Sequence, residues 1–391
     1  MHTRQFLQRI RRRFHLLHIE FAPMEGITGF PFRNAFAKIY GGISVYYTPF
    51  LTVNQNKKFG SHDIRDVNPE VNRWIREANP EANRWIRDAN PEVNRSVRDD
   101  QKKGNQSVCD DVKGKQSIEL IPQILTNKAD QLAWGAEKLY ELGYGEVNLN
   151  LGCPSPTVTK RHKGAGLLSN PEDVDQLLEG TFRILEEDGC PVYISVKSRI
   201  GMQDKSRFDD LLRVYASYPL HRLVLHPRLG CQGYDGNVDL ECFSEALRVL
   251  PCPVIYNGDL RKVEDVEAVR ERFHQAAGIM IGRGLLYDPS LALKIQEGPD
   301  GEGLGQGLKD RLSLFVSFHE TLLEEYIRAN PYPDSCVPRM KELWSFWLEN
   351  PDLLEVFDRE PLRKMVKKIK KSRNLEDYRL AIGNLTDICL I

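Results

Sequence analysis

The chain lacks three things. No stretch of it approaches the roughly 18–20 consecutive apolar residues that a bilayer span needs, it has no Cys-x-x-Cys pair, and it has no excess of charge of either sign. The first absence excludes a membrane-spanning helix. The third excludes a uniformly cationic nucleic-acid coat, because 54 Lys+Arg against 55 Asp+Glu leave a formal charge of −1; a local basic face stays open. Eight cysteines scattered through 391 residues do not form a secreted disulfide framework and point to reduced thiols in a cytoplasmic protein. Residues 1–17 carry Arg4, Arg9, Arg11, Arg12 and Arg13 but no long apolar run and no small-residue cleavage site. They are expected to be a frayed basic extension rather than a secretory signal.

What remains is a chain of ordinary globular composition, 41% apolar and long enough for two domains, or for one large barrel with an appendage. From about residue 18 to 300, short Val/Ile/Tyr-rich runs alternate with amphipathic stretches. The expected strands are His18–Pro23, Ile43–Thr48, Glu119–Leu125, Gly145–Leu151, Pro191–Lys197, His221–His226, Cys252–Asn257 and Gly278–Gly282. Helices are expected at Asp130–Leu142, Pro171–Leu185, Leu240–Leu250 and Val263–Phe273, the second opened by an Asn170 cap and a Pro at its first position. Eight strands with crossover helices fit an α/β fold of the (β/α)8 TIM barrel type. A doubly wound open sheet is the competitor. The chemistry-bearing residues fall at C-terminal strand ends, the face on which barrels build their sites, and that favours the barrel.

Residues 61–117 interrupt this pattern with three 11-residue repeats, Asn68–Ala78, Asn79–Ala89 and Asn90–Asp100, each opening Asn-Pro-Glu. A Pro in every period rules out one continuous helix, so the segment reads as an expanded surface loop. After a Gly-rich linker, residues 305–391 hold helical patterns at Lys309–Arg328, Arg339–Glu349, Pro361–Lys371 and Leu375–Asn384. They read as a small C-terminal all-helical domain.

The strand ends carry the candidate site. Ala22-Pro23-Met24-Glu25-Gly26 closes the first strand with a rigid turn that can lie along a flat cofactor. Gln123 places an amide inside an apolar strand, where it needs a heterocycle edge or neighbouring backbone as partner. Asn148-Leu-Asn150-Leu-Gly-Cys153-Pro154 sets a thiol between Gly and Pro just past a strand end. Lys160-Arg-His-Lys163-Gly-Ala-Gly166 is a basic loop suited to an anionic substrate. Lys197 and Arg199 share one side of a strand end, and His226 ends the next. Asn257-Gly258-Asp259 and Gly282-Arg283-Gly284 follow the seventh and eighth strands, where barrels place a phosphate.

Taken together and in order, these motifs resemble those of the bacterial tRNA-dihydrouridine synthases. The Arg161-His162-Lys163-Gly164 loop is most like that of their C branch. The resemblance implies an FMN-binding barrel of residues 18–300, a helical tRNA-binding domain, and NADPH-dependent reduction of tRNA uridines, with position 16 of the D-loop favoured. It implies that Pro23, Met24 and Glu25 lie along the flavin and that Gln123 and Lys197 meet its ring. His226, Asn257, Gly258, Asp259, Gly282 and Arg283 would surround its ribityl-phosphate end. Cys153 matches the proton donor. Asn150, Lys163 and Arg199 match substrate positions, and Arg339 or Lys341 matches a tRNA contact. Two features depart from the family pattern, Pro49 where many members carry an acid and the 61–117 insert. A monomer without metal or membrane partner is expected.

Two other functions fit part of the pattern. An FMN barrel acting on a free pyrimidine or enoate, of the dihydroorotate-dehydrogenase kind, shares the strand-end Lys and the phosphate site but needs no basic tail. A non-catalytic RNA-binding protein would need neither Cys153 nor Lys197.

Overall fold

Residues whose side chains alternate between two environments form strands, and here both environments are interior. In the computed structural model, which describes residues 17–72, 118–297 and 307–383, eight parallel strands close into a barrel in sequence order. They are β1 (Ile19–Phe21), β2 (Val45–Leu51), β3 (Glu119–Ile124), β4 (Glu146–Leu151), β5 (Tyr193–Arg199), β6 (Leu223–His226), β7 (Val254–Asn257) and β8 (Gly278–Ile281). Each overlaps its expected run, and the closure of β1 on β8 decides against the open sheet. Residues 1–16 of the basic extension, insert residues 73–117, the linker at 298–306 and residues 384–391 lie outside the described residues.

The helices follow as α1 (Phe30–Ile39), α2 (Ser61–Val67), α3 (Ala129–Glu141), α4 (Pro156–Thr159), α5 (Pro171–Glu187), α6 (Phe208–Ala216), α7 (Leu240–Val249), α8 (Val263–Arg272), α9 (Arg283–Tyr287) and α10 (Leu291–Glu297). Beyond the linker come α11 (Leu308–Ala329), α12 (Val337–Trp347), α13 (Pro351–Val356), α14 (Arg359–Lys371) and α15 (Leu375–Ile382). Two local expectations differ from what is observed. Asn170 stands at the N-cap of α5, but its side chain caps nothing. The Gly164–Ser169 turn runs straight into the helix, and the Pro171 ring alone presets the first helical φ. Residues 61–72, grouped by sequence with the insert, are bound into the barrel wall. Buried Arg33 donates to the carbonyl of Asp66 and to Asn72 Oδ1, at 2.7 and 2.9 Å, and the Phe30 N–H donates to Asp66 Oδ1 at 2.7 Å.

Period-two alternation divides the core in two. Outward residues such as Phe21, Tyr46, Leu149, Val196 and Leu225 pack under the helices, whereas Ala22, Val45, Tyr47, Ile121, Val224, Ile255 and Met280 form a separate apolar cluster. The alternate residues of β4 and β5, namely Glu146, Asn148, Asn150, Ser195, Lys197 and Arg199, are polar and mostly buried. A buried polar group without a partner costs about 1–3 kcal/mol, so this column must satisfy itself. At its lower end Arg222 does most of this, donating to Glu20 Oε1 at 3.0 Å and to Glu146 Oε2 at 2.7 Å, while Tyr47 donates to Glu20 Oε2 at 3.0 Å. Glu146 Oε1 is left there without a hydrogen-bond partner among the described residues.

The C-terminal helices close on an aromatic core. Trp344 and Trp347 meet edge-on at 5.2 Å, and Trp344 Nε1 and the His319 ring both contact the Tyr378 hydroxyl. Phe318 of α11 packs edge-on against Phe32 and Phe36 of α1, at 5.6 and 5.7 Å between ring centres. Buried Asp352 accepts from Lys294 of α10 and Arg311 of α11, at 3.1 and 2.9 Å. Apolar and ionic contacts therefore both fasten these helices to the barrel.

Burial holds the Glu146 carboxyl up at about 7, against the opposing pull of Arg222. A carboxyl raised in the folded state binds its proton more tightly than in the unfolded chain, so stability falls as pH rises between about 4.5 and 7. Glu146→Gln is expected to remove that slope, worth on the order of 1–3 kcal/mol. Urea midpoints measured across pH 5–8 check it: an unchanged slope in the variant would place the titration elsewhere.

Candidate active site at the barrel mouth

A cavity of about 380 Å³ opens at the C-terminal ends of the strands, within the ~300–1,000 Å³ range of small-molecule sites. Of the sequence-derived candidates, Pro23, Met24, Glu25, Gln123, Asn150, Cys153, Lys197, Arg199, His226, Asn257, Gly258, Asp259, Gly282 and Arg283 all line it. Lys163, Arg339 and Lys341 do not.

Arg339 and Lys341 are engaged elsewhere, and the loop that carries Lys163 packs against the thiol's turn. The turn after Lys163 is buried, and its Ala165 N–H donates to the Cys153 carbonyl at 3.0 Å. Gly164 sits at φ +56, where a Cβ would lie 2.7 Å from that carbonyl oxygen. The basic loop thus buttresses the thiol's turn from behind. Arg339 donates to the Gly26 carbonyl at 2.5 Å, joining α12 to the loop after β1. Lys341 donates to the Ser372 carbonyl at 2.7 Å, at the end of α14.

Around the thiol, geometry follows from the strands. Asn150 Oδ1 accepts the backbone N–H groups of Gly152 and Cys153, at 3.1 and 2.9 Å, and so bends the chain sharply at the end of β4. Arg199 donates to the carbonyls of Gly152, Leu229 and Gly233, at 2.9, 2.8 and 2.7 Å, tying the β4 turn to the loop after β6. Burial raises the Cys153 pKa, only partly offset by the Ser155 backbone N–H and by Arg199 and Lys197. The thiol therefore keeps its proton at neutral pH.

Lys197 Nζ donates to Asn257 Oδ1 at 2.9 Å, and Asn257 Nδ2 donates to the Met280 carbonyl at 2.8 Å. Burial, reinforced by Arg199, brings the Lys197 pKa down to about 7. Arg199 is itself pulled down by burial to about 10 and stays cationic. His226, buried among Arg199, Lys197, Arg228 and Arg283, is held far below the usual imidazole range. It is neutral, and because Arg228 Nη1 can only donate across the 3.2 Å to His226 Nε2, the ring proton resides on Nδ1.

Beyond the ends of β6, β7 and β8 lies a cationic end. Arg228 is buried and paired with Asp259, yet its Nε has no partner. Arg283 reaches within 3.7 Å of the same carboxylate and lies over the Tyr234 ring at 4.0 Å. Asp259 takes φ +48, an uncommon conformation for a residue with a Cβ, and its ion pair holds it there. With Lys197, Arg199, Arg228 and Arg283 facing only Glu25 and Asp259, the cavity favours an anion.

Sequence reasoning missed several residues that line the cavity. Arg228 follows His226 by two, the same spacing that singled out Arg199 after Lys197, so its signal was present. Phe50 and Tyr234 carried no spacing signal. Phe346 reaches the cavity from α12 and packs against Tyr287 at 5.5 Å, a contact only the tertiary fold creates. Pro49 marks a register shift between β2 and β3. Proline has no N–H for the ladder, and beside the shift the Gln123 N–H donates to Thr48 Oγ1 at 3.0 Å.

Fold and site together define a parallel (β/α)8 barrel whose mouth combines a cationic end with a protonated thiol. Comparison with known proteins makes this specific: the family model described as dihydrouridine synthase (Dus) matches residues 97–328, and the chain belongs to that family. The tRNA-dihydrouridine(16) synthase of Pseudomonas syringae pv. tomato is 33% identical over 180 residues, 46% of this chain and 56% of that protein. That of Neisseria meningitidis serogroup B is 30% identical over 181 residues, 46% of this chain and 53% of the relative. The chain thus spans about half the length of these relatives in each match.

Because Lys197 titrates near neutrality, the cavity should hold an anion better when that ammonium is charged. Inorganic sulfate, whose own charge is constant over this range, titrated by calorimetry is expected to bind roughly 3–10-fold more tightly at pH 6 than at pH 8.5, and Lys197→Met should flatten the difference. Equal affinities at both pH values would show that Lys197 does not act on the ligand.

Proposed function

We propose that this protein reduces uridine to 5,6-dihydrouridine in tRNA, with FMN bound in the barrel mouth and NADPH as electron donor. The observation that carries the reading is the pairing of a proton-bearing thiol with a cationic cavity end across one barrel mouth. Family membership supports the reaction class. The name shared by the two relatives supports position 16 in the D-loop as the target.

The residues present fit the cofactor. The unpartnered Arg228 Nε, with Arg283 and the Gly282 turn, suits a phosphate. A Cβ at Gly258 would come within 2.9 Å of Val238 and narrow the approach. Lys197 and Gln123 would meet the ring and Pro23, Met24 and Glu25 would flank it, while His226, Asn257 and Asp259 would lie with Gly258 along the ribityl chain. When bound, reduced FMN supplies the hydride for C6 of the pyrimidine.

The protein's own part is acid catalysis and positioning. Cys153 donates its proton to C5 as the C5–C6 double bond is lost, and burial is what keeps that proton available. Arg199 and Lys197, which pull the thiol's pKa downward, stabilise the thiolate left behind until solvent returns a proton. Asn150 and Arg199 orient the base. A uridine stacked in tRNA must be flipped out at a cost of a few kcal/mol, which phosphate contacts can offset. The exposed face of α14 offers Arg363, Lys364, Lys367, Lys368, Lys370 and Lys371, while Leu362, Val366 and Ile369 point inward. This cationic face favours tRNA over a free pyrimidine. In this reading Arg339 serves the tRNA through the seam it braces, Lys163 and Lys341 act at its edge, and the enzyme is a cytoplasmic monomer. Among the described residues no group of three or more His, Cys, Asp or Glu side chains is arranged to hold a metal, and no helix is long and apolar enough to cross a membrane.

Purified protein is expected to show flavin absorbance, with Arg228→Ala losing most of it. Cys153→Ala should retain the flavin and still be reduced by NADPH, yet lose at least about a hundredfold in turnover on unmodified tRNA. Dihydrouridine mapping in a deletion strain, with and without a plasmid copy, identifies the position. Wild-type turnover by Cys153→Ala would remove the thiol from the reaction, and unchanged dihydrouridine on deletion would remove the activity.

A further inference from the structure

A buried chain of side chains crosses from β5 to the thiol's turn. The Asn148 carboxamide, fully buried on β4, donates through Nδ2 to Ser195 Oγ at 2.8 Å. Its Oδ1 accepts from Gln123 Nε2 at 2.8 Å. Gln123 Oε1 in turn accepts from Asn150 Nδ2 at 2.7 Å. That leaves Asn150 Oδ1 facing the backbone N–H groups of Gly152 and Cys153. Three amides thus lie head to tail between a serine on β5 and the turn that carries the thiol. The strand registers set Asn148 beside Gln123 on one side and Ser195 on the other.

An amide is nearly symmetric in shape, and only its partners decide which end is oxygen. The backbone N–H groups of residues 152 and 153 require an acceptor from Asn150. Asn150 then presents a donor to Gln123, which must offer its oxygen, and Gln123 presents a donor to Asn148. At the far end the Ser195 hydroxyl accepts, and it also faces Glu146, whose ionised form it favours. The links among Ser195, Asn148, Gln123 and Asn150 are buried, so a reversed amide among them would set donor against donor at a cost that only a change of partners could relieve.

We propose that Asn148 is a positioning residue for Cys153: through Gln123 and Asn150 it fixes the amide polarity that holds the thiol's turn in its reactive geometry. The assignment rests on the proposed function for what the thiol does, but the hydrogen bonding is independent of it. A second consequence concerns ligand chemistry. Gln123 and Asn150 have both committed their oxygens inside the chain, and each keeps one N–H on an amide that lines the cavity. The edge that meets them must therefore carry acceptors, such as carbonyl oxygens.

The test compares Asn148→Leu, which removes the acceptor at similar volume, Asn148→Asp, which keeps an acceptor for Gln123, and Ser195→Ala, which removes the terminal partner with little loss of volume. The readout is the rate of Cys153 alkylation by iodoacetamide across pH 6–10, followed by mass spectrometry of the Cys153 peptide in the full chain. A loosened turn exposes the thiol, so Asn148→Leu is expected to be alkylated roughly threefold faster at pH 8, with its pH midpoint about half a unit lower. Asn148→Asp should stay within about twofold of the wild type, and Ser195→Ala should move part of the way. Native profiles in both Asn148→Leu and Ser195→Ala overturn the proposal, as do equal shifts in Asn148→Leu and Asn148→Asp, which would mean packing alone. Should Asn148→Leu fail to fold, Ser195→Ala decides by the same criterion. If the profiles move as expected but wild-type protein reduces no tRNA uridine, the proposed function fails and the relay stands. If tRNA is reduced while the profiles stay put, the relay fails and the function stands.

Discussion

The structure depends on the burial of polar side chains inside a closed barrel. Parallel strands forced into a ring turn every second residue toward the axis, and on β4 and β5 those residues are Glu146, Asn148, Asn150, Ser195, Lys197 and Arg199. None can be left without a partner at tolerable cost. Their pairing converts a folding constraint into a fixed arrangement. Arg222 neutralises the lower carboxylates, the amides connect the middle, and Asn257 receives the Lys197 ammonium. The apolar half of the interior, from Ala22 and Val45 to Met280, supplies the stability that lets the other half be polar.

Charge is also sorted along the axis. Carboxylates gather at the N-terminal end of the strands, where Glu20, Glu119 and Glu146 surround Arg222. Cations gather at the C-terminal end. Opposite ends of one small barrel thus carry opposite signs, although the whole chain is almost neutral. The mouth's low polarity then acts differently on each group: it neutralises His226, brings Lys197 close to titration, and keeps the Cys153 proton in place.

Much of this was legible in the sequence, for identifiable reasons. Strands buried on both faces are short runs of Val, Ile and Tyr bounded by Gly or Pro, and all eight were visible as such. The residues that line the cavity were visible as candidates because polar side chains ending apolar runs need a reason to be there, as Cys153, Lys197, His226 and Asn257 do. What escaped depends on neighbours that only folding supplies. Asn148 and Ser195 sit inside strands, where their partners lie 25 and 47 residues away. Phe346 comes from beyond the linker. The Lys163 loop read as a cover for substrate because its charge was visible, while its packing against the Cys153 turn was not. The first residues of the 61–117 stretch looked like insert because the repeat begins at Asn68, yet Asp66 and Asn72 are tied to Arg33.

Phe318 wedged between Phe32 and Phe36, with Asp352 gripped by Lys294 and Arg311, leaves the C-terminal helices little freedom to swing against the barrel. The span from the lysine-rich face of α14 to the sulfur at the mouth is then a constant of the molecule. Under the proposed function, a folded polynucleotide gripped on that face would be gauged as by a calliper: the nucleotide that reaches the thiol would be chosen by its distance from the gripped backbone, and neighbouring letters need not be read at all.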